Sequence, residues 1–318
     1  MFTAPWESDV SNAALAKTLS RVNTTDFVAY DPKFFNIIGP SATIEHYLLD
    51  VDSNKLKKIV PDPPTVNAHG CVHYDGKLHV VTDGSRDNET GALVQIDPHS
   101  LKKKVLLNNF FVQPFAGFND QEMDRAGNFW LTDSRSAADG FETAYVGREV
   151  VDLVPPTNPS IYFVEAHTMR AKVVWTTTGN ANGVAVVPDS RTIYVPDTGV
   201  SKFRPSKKNP YGNRQLRAFT VSKSGSVLPN QRILGSPISY FYDGIRASRE
   251  EWLFAGSGNA VDVIDPETGL ILGSIGVGGG ENVAASVAFG RNELWIVGRG
   301  GGGVWHDKNL KARLQRDW

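Results

Sequence analysis

Four polar residues recur at the start of similar strand-turn-strand segments, and their side chains could bind one ligand together if the fold brings them close. They are His69, Asn119, Asn182 and Asp243, and each is followed directly by Gly or Asp. Amide and carboxylate oxygens are the ligands that a hard divalent cation such as calcium prefers.

The segments that carry these residues form an internal repeat. Each copy has a strand, a polar tight turn and a second strand rich in aromatic and branched side chains. The copies begin at His69, Asn119, Asn182, Asp243 and Ala285. A more amphipathic strand pair follows the first pair, so each unit contains four strands. Four-stranded units at this spacing predict an all-β propeller, because no single blade buries both of its faces.

In a propeller the innermost strands line a central channel, so we expect the four polar side chains to converge at one mouth of it. A local role is the alternative at each position, because Asn-Gly and Asp-Gly pairs also cap strands and turns. For His69 we expect a neutral imidazole that points into the channel, and the alternative is a core histidine bonded to backbone.

The overall charge argues against partners that bind by electrostatics. Thirty-three basic residues face 34 acidic ones, which gives a net charge of −1. No global field therefore draws the chain to nucleic acid or to a membrane, and small neutral ligands fit better. The basic stretch Lys202–Lys208 contains Pro205 and polar residues, and we interpret it as a solvated loop.

The domain organisation and location follow from simple sequence features. Residues 1–26 lack the basic start and apolar stretch of a secretory signal, which predicts a cytoplasmic location. A lone cysteine, Cys71, rules out an internal disulfide framework and disfavours a zinc-thiolate site. We expect an N-terminal arm over residues 1–26 and one propeller domain over residues 27–318.

Taken in order, these motifs resemble the family of gluconolactonases and senescence marker protein (regucalcin), in particular the fungal-type lactonohydrolases. The matching stretches are Phe27–Gly39, Leu106–Phe110, Phe118–Asp120, Asn182–Gly183, Tyr194–Gly199 and Asp243–Gly244. The resemblance covers about residues 27–318. It implies a six-bladed propeller, one divalent cation, commonly calcium, in the channel, and hydrolysis of a lactone ring.

The resemblance also implies roles for individual residues. Asn182 and Asp243 match metal ligands of the family, and Asn119 matches a residue that reaches the metal or the substrate. Asp243 and Asn119 are therefore the candidate catalytic residues. The candidate substrate contacts are His69, Asn119 and Tyr242.

The N-terminal side departs from the family pattern. Relatives carry a first inner strand pair that opens with a glutamate, the principal anionic ligand, and we find no such pair here. Instead Ile37–Gly39 is followed closely by Thr43–Leu49 and Lys55–Val60, which we interpret as an outer strand pair. The sequence thus accounts for about five and a half blades. With Asp243 as the recognised anionic ligand, calcium affinity should be low unless the arm brings Asp26 into the channel.

Two functions remain open at this point. The first is metal-assisted hydrolysis of a lactone, with a small organic or secondary-metabolite ester ring as substrate. The second is a repurposed, non-catalytic propeller that binds an apolar small molecule without a tightly held metal. The missing glutamate favours the second function, as do Phe241, Tyr242 and His69 near the channel. Metal content distinguishes the two.

Overall fold

The computed structural model describes most of the chain between residues 46 and 307, and all structural statements below concern those residues. They are 46–50, 55–65, 68–82, 90–115, 117–134, 159–187, 189, 191–203, 206–222, 224–225, 231–237, 241–278, 283–290, 293–299 and 304–307. The predicted N-terminal arm, with Asp26, and the segment Phe27–Gly39 lie outside them. Within the described ranges the regular secondary structure is entirely strand, and no helix there could cross a membrane.

Four antiparallel sheets of four strands each form the body of the molecule. Blade 1 contains β3 (Ala68–Tyr74), β4 (Lys77–Thr82), β5 (Ala92–Ile96) and β6 (Lys103–Leu107). Blade 2 contains β7 (Phe118–Met123), β8 (Phe129–Asp133), β9 (Ser160–Val164) and β10 (Ala171–Thr176). In both blades, strands that follow each other in the chain are also neighbours in the sheet.

Blades 3 and 4 repeat this order. Blade 3 contains β11 (Ala185–Val186), β12 (Thr192–Pro196), β15 (Leu216–Thr220) and β16 (Arg232–Gly235). Blade 4 contains β17 (Tyr242–Ala247), β18 (Leu253–Ser257), β19 (Ala260–Ile264) and β20 (Ile271–Gly276). Each of these strands pairs antiparallel with the next strand of its sheet, and in blade 3 residues 197–215 separate β12 from β15 in the chain.

The remaining strands form three smaller sheets. Blade 5 has three described strands, β21 (Val283–Gly290), β22 (Glu293–Arg299) and β23 (Val304–Asp307). The strands expected at Thr43–Leu49 and Lys55–Val60 are found as an antiparallel hairpin of β1 (His46–Asp50) and β2 (Lys55–Ile59), and its place as the outer pair of a blade stays a prediction. The prediction of a loop for the basic stretch was wrong, because β13 (Ser201–Phe203) and β14 (Ser206–Lys208) pair there as a short hairpin.

The tight turns explain why neighbouring strands fold back on each other. Strands β3 and β4 are joined by Asp75 and Gly76, with φ of 47° and 69°. Two consecutive residues with positive φ match the twist of an antiparallel pair, and Asp-Gly adopts this geometry readily. The first repeat therefore forms its hairpin from a local signal in the sequence.

Packing between blades holds the propeller together. The first strands contact one another in the order β3, β7, β11, β17 and β21. One apolar cluster lies between each adjacent pair of blades from blade 1 to blade 5. Trp130, for example, is 1% exposed between blades 2 and 3. Full burial of one large apolar side chain contributes about 1.5–3 kcal/mol, so these clusters dominate the stability.

The predicted fold class is confirmed as an all-β propeller arrangement, with blades 1–4 as four complete four-stranded sheets. The total of six blades stays a prediction, as does the boundary between arm and propeller. For function, the important result is that the five first strands lie next to one another, because these strands carry the polar residues of the repeat.

Candidate functional site

A β-bulge interrupts the first strand of blades 1, 2, 4 and 5, and in blade 3 the same one-residue offset lies just before β11. In each case one extra residue stands between two partner pairs. In blades 1 to 5 in turn, the paired residues on either side of the extra residue are as follows: Ala68 with Thr82 and Cys71 with Val80; Phe118 with Asp133 and Asp120 with Thr132; Ala181 with Asp197 and Ala185 with Tyr194; Tyr242 with Ser257 and Ile245 with Ala255; Ala284 with Gly298 and Ser286 with Val297. Bulges bend a strand and redirect its side chains, and they are common beside active sites.

All four polar residues that open the repeats lie within these bulges. His69, Asn119 and Asp243 are strand residues, whereas Asn182 precedes β11 and donates its backbone N–H to the Pro196 carbonyl at 3.1 Å. The repeat therefore predicted structurally equivalent positions. Convergence of the side-chain oxygens of Asn119, Asn182 and Asp243 on one point stays a prediction.

Glycines after the polar residues allow neighbouring blades to approach closely. A Cβ on Gly183 would lie 2.6 Å from the carbonyl oxygen of Asp243. A Cβ on Gly70 would lie 2.4 Å from Oδ1 of Asp120, and one on Gly244 would lie 2.5 Å from Oγ of Ser286. Glycine at this second position of the repeat thus brings the bulge of one blade against that of the next.

The Thr132 hydroxyl connects two of the bulges directly. It accepts a hydrogen bond from the Asp120 backbone N–H at 3.0 Å. The same hydroxyl donates to the backbone carbonyl of Asn182. Thr132 is fully buried, so its contacts fix the backbone next to Asn119 against the backbone of Asn182.

The Asn182 side chain is the clearest sign of a ligand site. The residue is 3% exposed, and its buried Oδ1 has no hydrogen-bond partner within the described part of the chain. Leaving such an oxygen unpaired costs about 1–3 kcal/mol. A cation would supply the missing partner, and the amide chemistry suits a hard divalent ion.

The other two candidate ligands are less deeply buried. Asn119 on β7 and Asp243 on β17 are both partly exposed, as expected for residues at the surface of a channel. No cluster of three or more His, Cys, Asp or Glu side chains that could hold a metal occurs in the described ranges. A cation at this place would therefore depend on the two amides as well as on Asp243.

The two further substrate-contact candidates lie in different surroundings. His69 is 9% exposed on β3, in the bulge of blade 1. Tyr242 is 2% exposed and packs in the apolar cluster between blades 3 and 4. Burial raises the pKa of Tyr242, and the carboxylate of Asp262 adds to that effect. A contact between Tyr242 and substrate stays a prediction, and this burial argues against it.

A buried ion cluster beside the bulges was missed by the sequence analysis. Arg246 on β17 donates to both carboxylate oxygens of Asp120 on β7, at 2.7 and 2.9 Å. Its Nε also lies 3.8 Å from Oε2 of Glu122. The side chains of Arg246 and Asp120 are 16% and 6% exposed, so the pair is well protected from solvent.

The electrostatics of this cluster favour a permanently charged arginine. Burial alone would lower the pKa of Arg246, but the Asp120 carboxylate outweighs burial and raises that pKa above its usual value. One guanidinium facing two carboxylates leaves the cluster with an excess of one negative charge when Asp120 and Glu122 are both ionised. The charged guanidinium can therefore hold the Asp120 carboxylate and nearby backbone in place.

A second buried carboxylate organises the segment before Asn182. Asp197 is 2% exposed and accepts hydrogen bonds from neutral donors. The donors are Oγ1 of Thr177 at 2.8 Å, the backbone N–H groups of Asn180 and Gly199 at 2.8 Å each, and Nδ2 of Asn213 at 3.0 Å. The loop that leads to Asn182 is therefore tied to β12 and to the residues before β15.

Comparisons with known proteins identify the family. The chain belongs to the family described as SMP-30/Gluconolactonase/LRE-like region, which matches residues 45–298. The lactonohydrolase oryL of Aspergillus oryzae is 28% identical over 278 residues. That match covers 80% of this chain and 59% of the relative, so the chain spans about three fifths of the relative's length. The resemblance stated from the motifs is thereby confirmed.

Solved structures support the same fold. A gluconolactonase from Xanthomonas campestris superimposes with a TM-score of 0.61 at 21% identity, over 83% of this chain and 82% of that one. Regucalcin from Agrobacterium tumefaciens, described as a calcium-binding protein, gives a TM-score of 0.57 at 16% identity, over 95% and 98% of the two chains. At such identities these likenesses establish the fold.

Proposed function

We propose that this protein hydrolyses a lactone ring with the help of one divalent cation, held at the channel mouth by Asn119, Asn182 and Asp243. The observation that carries this proposal is the buried, unpartnered Oδ1 of Asn182, in a bulge next to that of Asp243. Family membership supports the reaction class. Calcium is the expected ion, because the candidate donors are all oxygens and a structural relative is described as calcium-binding.

When bound, the cation would polarise the lactone carbonyl and acidify a water molecule. The residues of the chain have separate tasks. Asp243 supplies the anionic oxygen among the three ligands and can accept the proton of the attacking water. Asn119 can donate a hydrogen bond from its amide to the substrate, and His69 in blade 1 can contact the ring or its substituents.

We also propose that affinity for calcium is modest. One carboxylate and two amides form a weakly charged ligand set, and calcium affinity depends strongly on the number of anionic ligands. The substrate is a small lactone or a related apolar molecule, and the net charge of −1 gives no reason to expect nucleic acid or a membrane as a partner.

The test combines an activity assay with a binding measurement. Purified protein is treated with a chelator, supplied with calcium, and assayed by pH-stat against glucono-δ-lactone and an alkyl-substituted lactone. We expect hydrolysis that is lost with the chelator and restored by calcium. Hydrolysis of both lactones at the uncatalysed rate, with no heat on calcium titration, would refute the proposal and favour the metal-free binding propeller.

A further inference from the structure

The Arg246 guanidinium contacts each of the three segments that carry a candidate cation ligand. In blade 2 it binds the carboxylate of Asp120, the residue after Asn119. In blade 3 it donates to the Val184 carbonyl at 3.2 Å, two residues after Asn182. In its own blade it donates to the Ile245 carbonyl at 2.8 Å, two residues after Asp243. One side chain thus joins segments that are far apart in the sequence.

The Asp120 carboxylate also binds backbone groups in blades 2 and 3 directly. Its Oδ2 accepts the backbone N–H of Val184 at 3.2 Å, and its Oδ1 accepts the backbone N–H of Gln121 at 2.8 Å. Together with the two bonds from Arg246, this carboxylate ties blade 2 to blades 3 and 4. Gly70 of blade 1 leaves the space that Asp120 occupies, because any Cβ there would collide with Oδ1.

The planar guanidinium is essential for this arrangement. Its several N–H groups point in fixed directions, so it can bind a carboxylate in a bidentate manner and reach backbone carbonyls as well. A lysine at the same place would keep the charge but would offer a single nitrogen. Metal ligands depend on such supporting bonds, because small shifts of the backbone change all ligand-to-metal distances at once.

We propose that Arg246 is a positioning residue of the candidate cation site, and that its ion pair with Asp120 fixes the distances between the three ligand-bearing segments. This inference rests on the proposed function, because these distances matter for chemistry only if the segments hold a cation. Arg246 itself touches neither the cation nor the substrate.

The primary test is the Arg246→Lys variant, studied by calorimetric titration with calcium and by thermal unfolding in chelator. We expect the dissociation constant for calcium to rise by about 10- to 100-fold, the usual effect of removing a supporting bond around a metal. Asp120→Asn should act in the same direction, because it removes the charge that holds the guanidinium. Arg246→Met removes the positive charge that faces Asp120 and Glu122, so this variant is expected to unfold more easily and is the secondary variant.

Asp124→Asn is the matched control. Asp124 is also a buried aspartate of blade 2, 7% exposed, but in the described part of the chain its carboxylate accepts hydrogen bonds from its own turn and from no other blade. It accepts the N–H groups of Ala126 and Asn128 and Nδ2 of Asn128, at 2.9–3.0 Å. This variant should lose thermal stability and keep the calcium affinity of the wild type. Equal loss of affinity in the control would show that general destabilisation is responsible, and would overturn the proposal.

A second readout separates this inference from the proposed function. Amide hydrogen exchange in chelator should become at least about 10-fold faster in Arg246→Lys over residues 117–121, 182–187 and 243–247 together. Faster exchange confined to residues 243–247 would overturn the positioning role. If the wild type binds no calcium, the proposed function fails, and the exchange data still decide whether Arg246 holds the three segments together.

Discussion

Replacing Asn182 by leucine should stabilise the protein without calcium and remove its response to calcium. Leucine has nearly the shape of asparagine but lacks the buried Oδ1 that has no partner in the described structure. The unpaired oxygen costs about 1–3 kcal/mol, so Asn182→Leu should gain that amount in chelator. For 318 residues the unfolding entropy is about 0.7 kcal/mol/K, so the midpoint should rise by about 1.5–4.5 °C.

In calcium the wild type should become more stable than Asn182→Leu. At a free concentration 1,000 times the dissociation constant, the ion stabilises a one-site protein by about 4.1 kcal/mol, which exceeds the 1–3 kcal/mol gained by the leucine variant in chelator. The wild type should gain this increment, and Asn182→Leu should gain almost none. Asn182→Asp should behave in the opposite way, with a less stable metal-free form and tighter calcium binding, because it adds an anionic ligand next to Asp243.

Differential scanning calorimetry in chelator and in calcium measures both effects. Asn180→Leu is the matched control, because Asn180 is a buried asparagine whose Nδ2 donates to Oγ1 of Thr198 at 3.0 Å. It should lose stability and keep the calcium increment. A loss of stability in Asn182→Leu together with an unchanged calcium increment would show that this amide is not a ligand.

Three further predictions concern catalysis, packing and pH. Asp243→Ala should abolish cation-dependent lactone hydrolysis in the pH-stat assay, because it removes the anionic ligand of the proposed set; full activity would place the site elsewhere. Gly183→Ala should destabilise the protein by about 1–3 kcal/mol in urea, since its Cβ would meet the Asp243 carbonyl oxygen at 2.6 Å. Burial raises the pKa of Tyr194 from 10.0 to about 12. The folded state then keeps a proton that the unfolded state releases, so stability should fall by about 2–3 kcal/mol between these pH values, and less in Tyr194→Phe.

The repeat predicted the equivalent positions of the candidate residues because a bulge at the start of a first strand is a local feature, and their functional roles stay predictions. The bulges that contain His69, Asn119 and Asp243 lie where the polar residues of the repeat lie. The ion pair of Arg246 with Asp120 could not be predicted in this way, because it joins residues 126 positions apart on different blades. Periodic patterns show which residues are equivalent, and they do not show which blades face each other across a channel.

One signal for that pair was nevertheless present. At the second position of the repeat, Asp120 stands where blades 1, 3 and 4 have glycine. At the fourth position, Glu122 and Arg246 stand where blades 1 and 3 have Val72 and Ala185. Charged residues at positions that are otherwise small or apolar indicate a partner within the core. Comparison of the copies by position, rather than by their opening residue alone, would have singled them out.

The glycines at the second position of the repeat bear on how such a channel can change during evolution. Gly70, Gly183 and Gly244 allow the blades to approach closely, while the residues just before them are the candidate ligands and substrate contacts. A substitution at His69, for instance, would change the proposed contact with the substrate without changing how the blades pack. A scaffold with this division of tasks can acquire or lose a reaction through single substitutions, whereas a change at the glycines would disturb every neighbouring blade.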